Sequence, residues 1–296
     1  MKMSDVLIIG GGPAGVTAAL YTARANFKTT IICKDHGALG KADKVENFYG
    51  HLEIGGQALV EIGLAQAKNM GADVISGEVV GIYATDNHTI IVETTSGKQF
   101  EAKTVMLATG ATRKTPRIKG LADLEGRGVS YCAVCDGFFH RGKHVAVLGH
   151  GEYALHEVAD LLPLAHAVTV LTNGEDALVE FPENVIVRAE KIEEVVAVKS
   201  MLGAVLGGVR LDGGDTLTLS GLFVAVGIAG GTELARKIGA VVDGGSVVVD
   251  NRMSTSVPGL WAAGDCTGGL KQIAKAVYEG AEAGTDIVRY LREGIK

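Results

Sequence analysis

Two glycine turns constrain this chain more than any other feature. Gly10-Gly11-Gly12-Pro13-Ala14-Gly15 follows the apolar run Asp5-Val6-Leu7-Ile8-Ile9, and Gly149-His150-Gly151-Glu152-Tyr153-Ala154 follows His144-Val145-Ala146-Val147-Leu148. Each apolar run reads as a buried strand. Each turn opens a helical stretch, Val16 to Arg24 in the first case and about Tyr153 to Leu162 in the second. A further strand follows each helix, Thr29–Ile32 and Val168–Leu171. The result is a βαβ unit of nucleotide-binding type. Its first glycine makes the tight turn, its second lets backbone approach a pyrophosphate, and its third allows close helix–strand packing. The helix N-terminus then favours phosphate. One such turn is a weak signal. Two in one chain, each between a strand and a helix, predict an α/β protein with two Rossmann-like, three-layer nucleotide-binding domains.

With 296 residues, 47% of them hydrophobic, the chain is long enough to bury two cores. A net charge of -6 argues against a nucleic-acid partner. No run reaches the ~18 apolar residues of a membrane span. Met1-Lys2-Met3-Ser4-Asp5 leads directly into a strand rather than a signal peptide. A cytoplasmic protein without membrane contact is expected.

The chemistry sits in Cys132-Ala133-Val134-Cys135-Asp136-Gly137. Of the four cysteines, Cys33, Cys132, Cys135 and Cys266, only this pair is closely spaced. In a cytosolic enzyme a close pair is metal-binding or redox-active. Zinc would need two more soft ligands, and neither the isolated cysteines nor the eight histidines offer a matching pair motif. A dithiol beside two nucleotide folds suggests electrons passing from a nucleotide cofactor to a disulfide. Asp136 reads either as a proton shuttle or, in an Asp-Gly pair, as a turn residue.

Three more segments run as strand then turn: Thr104 to Gly110, Leu222 to Gly227, and Gly259 to Asp265. Ligands of open α/β sheets lie at the strands' C-terminal edge, which marks Thr109, Gly110, Gly264 and Asp265. The closing helix, about Gln272 to Arg292, carries the small residues Ala274, Ala276, Gly280, Ala281, Ala283 and Gly284. They permit close approach to a cofactor, or plain helix–sheet packing.

These segments, together with Val45-Glu46-Asn47-Phe48-Tyr49-Gly50 and Cys132-Ala133-Val134-Cys135-Asp136-Gly137-Phe138-Phe139, resemble the low-molecular-weight thioredoxin reductases over nearly the whole chain. The resemblance implies a discontinuous FAD domain at 1–113 and 242–296, an inserted NADPH-domain-like redox domain at 114–241, and a homodimer. It implies that Gly10, Gly12, Pro13, Ala14 and Gly15 receive FAD. Thr109, Gly110 and Gly264 join them, Asp265 contacts the ribityl–phosphate region, and Gln272 and Ile273 meet the isoalloxazine edge. Asn47 touches FAD and Val79 lies near the adenine. Cys135 takes electrons from the flavin, Cys132 engages thioredoxin or a thioredoxin-like protein, and Asp136 exchanges protons. After the first unit's second strand no clear ribose-binding acid stands. Either Asp35 binds ribose hydroxyls, or Lys34 faces the phosphate side, or both are surface residues. Ala38 replaces the family's usual glutamine there.

The family pattern fails in the second unit. NADPH-dependent members carry arginines after that unit's second strand, where guanidiniums clamp the 2′-phosphate. Here Leu171-Thr172-Asn173-Gly174-Glu175-Asp176-Ala177-Leu178-Val179-Glu180 has no arginine and three acids. The helix expected next is missing, and Phe181-Pro182-Glu183-Asn184 runs straight into a strand at Val185–Val187. Glu152 opposes a pyrophosphate, and Tyr153 could fill the cleft. This departure is similar to the ferredoxin-dependent flavin thioredoxin reductases. An acidic ferredoxin would need a basic patch, for which Arg113, Lys114, Arg117, Lys119, Lys271 and Lys275 are candidates. The rival readings are an FAD dithiol oxidase using oxygen, a conventional NAD(P)H thioredoxin reductase, and a non-catalytic flavin redox sensor.

Overall fold

Strand residues that alternate poorly and stay apolar throughout belong to sheets covered on both faces. Val6, Leu7 and Ile8 are fully buried in this way, as are Val145, Ala146 and Val147. The computed structural model describes residues 3–111, 116–200, 203–226 and 230–294. Two compact units emerge, one from residues 1–112 with 230–296, the other from 113–229.

The first segment forms β1 (Ser4–Ile9), α1 (Pro13–Arg24), β2 (Thr29–Cys33), α2 (Gly56–Asn69), β3 (Asp73–Ser76), β4 (Val79–Ala84), β5 (Ile90–Thr94) and β6 (Gln99–Leu107). The middle segment forms β7 (Val129–Ser130), α3 (Ala133–Asp136), β8 (His144–Leu148), α4 (Glu152–Leu161), β9 (Ala167–Leu171) and β10 (Ile186–Arg188). It continues with β11 (Ile192–Ser200), β12 (Gly203–Leu211), β13 (Thr216–Thr218) and β14 (Gly221–Val224). The last segment adds α5 (Gly231–Lys237), β15 (Val242–Asp243), β16 (Ser246–Val247), β17 (Leu260–Ala262) and α6 (Ile273–Glu293).

In the first unit the strand order is β3-β2-β1-β6-β5-β4, with β17 also on β6. Strand β6 divides its partners. Its Gln99–Ala102 half pairs antiparallel with β5, while Val105, Met106 and Leu107 pair parallel with β17. Strands β1, β2, β3 and the second half of β6 run parallel, so the C-terminal ends of β1, β6 and β17 share an edge. The core joins Val6, Ile8, Ile31, Met106 and Trp261 to alanines of α1 and α6. The small residues of α6 are used for helix–helix contact. A Cβ on Gly280 would stand 2.3 Å from the carbonyl oxygen of Ala14 in α1.

Residues 230–241, expected in the inserted domain, fall in the first unit instead. The reason is α5, which packs on β4 and β16 and whose Lys237 Nζ donates to Val80 O at 2.9 Å. That helix carries no glycine-turn signature, so the sequence offered no mark of the earlier return.

The second unit carries a parallel sheet of order β10-β9-β8-β14-β7 and a separate antiparallel sheet β11-β12-β13. Leu148, Leu171 and Leu222 of the first sheet share a core with Val195, Leu206 and Val209 of the second. Strands β9 and β10 are parallel neighbours, yet residues 172–185 between them contain no helix. Among the described residues, no helix is long and apolar enough to cross a membrane.

Candidate active site

The first glycine turn is built as its sequence predicts. Gly10 takes φ +117°, and a Cβ there would stand 2.1 Å from Ala108 O. A Cβ on Gly15 would stand 2.0 Å from Gly10 O. Only glycine fits either place. Gly12 is different, because a Cβ there would meet nothing within 4 Å. The backbone at Gly12 is therefore open to an approaching group. Gly12 is the N-cap of α1, has no side-chain cap, and is followed by Pro13 at the first helical position. The α1 N-terminus thus faces outward with its positive dipole end uncapped, as phosphate binding requires.

The rest of the expected cofactor set gathers in the first unit. Asn47 Nδ2 donates to Gln272 Oε1 at 3.0 Å, joining two residues 225 apart in sequence. Gln272 caps α6 and Ile273 begins it. Gly264 adopts φ +85°, and Asp265 opens the short turn that follows. Gly110 adopts φ +77° with open space at its Cβ position, and Thr109 Oγ1 is buried with no hydrogen-bond partner among the described residues. Val79 is buried at the start of β4. Of the two alternatives after β2, Asp35 is spent on a turn, its Oδ1 accepting from Gly37 N at 2.8 Å. Lys34 forms an ion pair with Glu78 Oε2.

Glu78 was not anticipated from sequence. It is only 8% exposed, and its second oxygen, Oε1, is buried without a hydrogen-bond partner among the described residues. It follows β3 directly, where Gly77 N donates to Cys33 O at 3.0 Å, and so lies beside the end of β2. An unsatisfied buried carboxylate oxygen costs on the order of 1–3 kcal/mol. An open cradle at Gly12, an uncapped helix, the unpaired Glu78 carboxylate oxygen and the unpaired Thr109 hydroxyl together fit a dinucleotide such as FAD.

The second unit holds the cysteines. Cys132 and Cys135 form a disulfide with Cα atoms 5.3 Å apart. Cys132 is the N-cap of α3, and its Sγ accepts from Cys135 N at 3.1 Å. Cys132 is buried at 2% exposure, whereas Cys135 is exposed. Asp136 is held by Ser130, whose Oγ donates to Asp136 Oδ2 at 2.6 Å and accepts from Cys132 N at 3.1 Å. Cys33 and Cys266 are free thiols outside the disulfide. Burial pushes Cys266 up to about 12, and burial with neighbouring Asp35 raises Cys33.

The second glycine turn differs from the first in what lies over it. Leu178 N donates to His150 O at 2.7 Å, and Leu178 Cδ1 lies 3.9 Å from where a Cβ on Gly151 would be. The segment after β9 therefore folds back over the turn. Glu152 is exposed at the start of α4. Tyr153 does not fill a cleft as expected. It is 2% exposed, and its hydroxyl donates to Tyr131 O at 3.1 Å, beside Cys132. Position 153 points to the core because it shares the buried face of α4 with Glu157 and Val158.

The proposed basic patch also changes. Lys275 is not a surface charge: its Nζ donates to Gly264 O at 2.8 Å and Gly268 O at 2.6 Å and pairs with Glu279 at 3.1 Å. Lys119 is exposed but paired with Glu194 at 2.9 Å. Arg117 and Lys271 are exposed. Arg113 and Lys114 lie outside the described residues.

A family model described as pyridine nucleotide-disulphide oxidoreductase matches residues 4–280. The chain belongs to that family. Within the family it is similar to the thioredoxin reductase of Aquifex aeolicus, 35% identical over 311 aligned residues that cover 98% of this chain and 94% of the relative. Among solved structures, an atypical thioredoxin reductase, TRi, from Desulfovibrio vulgaris Hildenborough is similar with a TM-score of 0.90 and 36% identity, covering 98% of each chain. A ferredoxin-flavin thioredoxin reductase from Clostridium acetobutylicum is similar with a TM-score of 0.73 and 30% identity, covering 99% of each chain. The family's thioredoxin reductases are FAD-binding flavoproteins, and this chain is a flavin disulfide oxidoreductase.

Proposed function

We propose that this family member reduces thioredoxin, or a thioredoxin-like protein, through Cys132 and Cys135, with electrons from reduced ferredoxin rather than from NADPH. The observation that carries the donor reading is the covered second turn. Leu178 is hydrogen-bonded onto His150, Glu152 stands at the helix start, and residues 172–187 contain no cation to hold a 2′-phosphate. The likeness to a solved ferredoxin-flavin thioredoxin reductase supports the same reading.

Bound FAD supplies a carrier that can be filled one electron at a time and emptied two at a time. Gly10, Gly12, Pro13, Ala14 and Gly15 would hold its pyrophosphate, with Thr109, Gly110, Gly264, Asp265, Asn47, Gln272 and Ile273 along the remainder. Lys34 and Glu78 stand by the adenosine side, near Val79. Two electrons and two protons open the Cys132–Cys135 disulfide. Cys135 is the sulfur open to attack, and Cys132 leaves as the thiolate, met by the Cys135 N–H. Asp136 Oδ2, positioned by Ser130, takes and returns the thiol proton. Cys132 then attacks the thioredoxin disulfide, and the mixed disulfide is resolved by Cys135. Thioredoxin leaves as a dithiol while the enzyme disulfide re-forms. Because Cys132 is buried in this arrangement, its attack follows a local opening around α3.

The test is the flavin's visible absorbance under anaerobic conditions. Reduced ferredoxin should bleach it, and excess NADPH or NADH should not. Rapid bleaching by NADPH would overturn the donor assignment and leave a conventional reductase. Cys132→Ser should abolish thioredoxin turnover by more than about a thousandfold while ferredoxin still bleaches the flavin. Oxygen consumption with a small dithiol and no thioredoxin would favour the oxidase reading instead.

A further inference from the structure

Helix α4 does something that its place after a nucleotide-type turn does not require. Tyr153 and Glu157 are one helical turn apart and lie on the same face. Both are buried, Glu157 at 1% exposure. The Tyr153 hydroxyl donates to the carbonyl oxygen of Tyr131 at 3.1 Å. Glu157 Oε2 accepts from Ala133 N at 2.6 Å. Tyr131 and Ala133 are the two neighbours of Cys132. One helix therefore grips the backbone on both sides of the buried cysteine.

The grip has an electrostatic consequence. Glu157 brings a carboxylate to the N–H of Ala133, the residue after the cysteine whose sulfur becomes negative when the disulfide is opened. In a buried setting such a charge acts with little screening. Stabilising the reduced form makes a disulfide a better oxidant; opposing the thiolate has the reverse effect. Asp136 reaches Cys132 N through Ser130, and its own N–H donates to Cys132 O at 3.2 Å. His156 and Asp160 of α4, paired at 3.4 Å, bring side-chain atoms within 4.8 Å of the Glu157 carboxylate. Glu157 is the carboxylate bonded to the N–H that follows Cys132.

We propose that Tyr153 and Glu157 are positioning residues for Cys132, and that the Glu157 carboxylate lowers the reduction potential of the Cys132/Cys135 pair, making its dithiol a stronger reductant. The inference rests on that pair being the redox centre. It gives α4 a use that survives the loss of nucleotide binding at its N-terminus.

The experiment equilibrates the flavin-loaded protein anaerobically with mixtures of reduced and oxidised dithiothreitol, then traps free thiols by alkylation and counts them by mass. In this exchange the enzyme S–S bond breaks, the dithiothreitol S–S bond forms, and two electrons and two protons pass to Cys132 and Cys135. Glu157→Gln keeps an acceptor for Ala133 N and removes the charge. It should move the equilibrium toward the dithiol about tenfold, equivalent to about 30 mV, with an unchanged flavin spectrum. Tyr153→Phe should leave that equilibrium within about twofold but slow exchange with thioredoxin several-fold, because Cys132 is less well held. An unchanged equilibrium in Glu157→Gln, or a shift toward the disulfide, overturns the tuning. Failure of dithiothreitol to reduce the pair in any form overturns the redox-centre reading itself. If Glu157→Gln does not fold, the pH profile of alkylation in the reduced wild-type protein decides. Cys132 should titrate at or above the free-cysteine value of about 8.5, and titration at or below pH 7 would refute the proposal.

Discussion

At the first glycine of each turn the two units are alike. A Cβ on Gly10 would stand 2.1 Å from Ala108 O, and one on Gly149 would stand 2.3 Å from Ala225 O. At the middle glycine they part. Gly12 faces open space, whereas Gly151 lies under Leu178, whose own N–H is bonded to His150 O. The glycine that shapes the turn is needed for folding in both units. At the middle position, open space lies only in the first. Part of a glycine motif can therefore serve the backbone alone.

The comparison can be broken most forcefully at the shared position. Gly10→Ala and Gly149→Ala should each cost at least about 2 kcal/mol of stability, read by denaturant titration. A tolerated substitution in either turn would mean that its backbone relaxes. Next comes the position where the turns differ. Gly12→Asp places a carboxylate in free space where the proposed site would hold the pyrophosphate. The protein should fold with its melting temperature nearly unchanged while the FAD dissociation constant rises roughly ten- to hundredfold, about 1.4–2.8 kcal/mol. Gly151→Asp should leave flavin binding as it is. Equal loss of flavin in both variants would erase the distinction.

A smaller effect is expected from repairing the second turn. Glu152→Ser combined with Leu178→Gly removes one repelling charge and part of the cover. NADPH affinity, measured by calorimetry, should improve by no more than about tenfold, because no arginine is restored. Efficient flavin bleaching by NADPH in this variant would show that Glu152 and Leu178 were the whole barrier. The smallest effect concerns acid. His140 and His144, both in the second unit, are held below the ordinary imidazole range, chiefly by burial. The unfolded chain then binds more protons below about pH 6.5, so stability falls as pH drops through that range. His144→Gln should flatten the slope of melting temperature against pH between 7 and 5, and an unchanged slope would remove His144 from the account.

Much of this was legible in the sequence because it depends on local pattern. Apolar runs before glycine turns located β1, β8, α1 and α4, since buried parallel strands and tight turns restrict residue choice at short range. The missing helix after β9 was visible in Phe181-Pro182-Glu183-Asn184 for the same reason. Other features were not legible. Tyr153 looked like a cleft residue because its direction depends on the packing of α4 against the segment before Cys132. Lys275 looked like a surface charge because its partners, Gly264 and Gly268, are carbonyls brought near by a turn. Glu78 and Glu157 went unremarked in the sequence, because no spacing rule marks a carboxylate that will be buried against a distant strand end or N–H.

The sequence by itself determined the two Rossmann-type units, the position of the closely spaced cysteine pair, the glycine turn before α1 and the lack of any basic residue between 172 and 187. Each of these follows from short-range steric and charge rules that act within a few residues. Tertiary structure alone decided that Leu178 folds back onto His150, that Asn47 meets Gln272, that the chain returns to the first unit at residue 230 rather than 242, and that Tyr153 and Glu157 grip the residues beside Cys132. Those outcomes depend on which buried donors and acceptors meet once the sheets are assembled, and burial sets their energies only in the folded state.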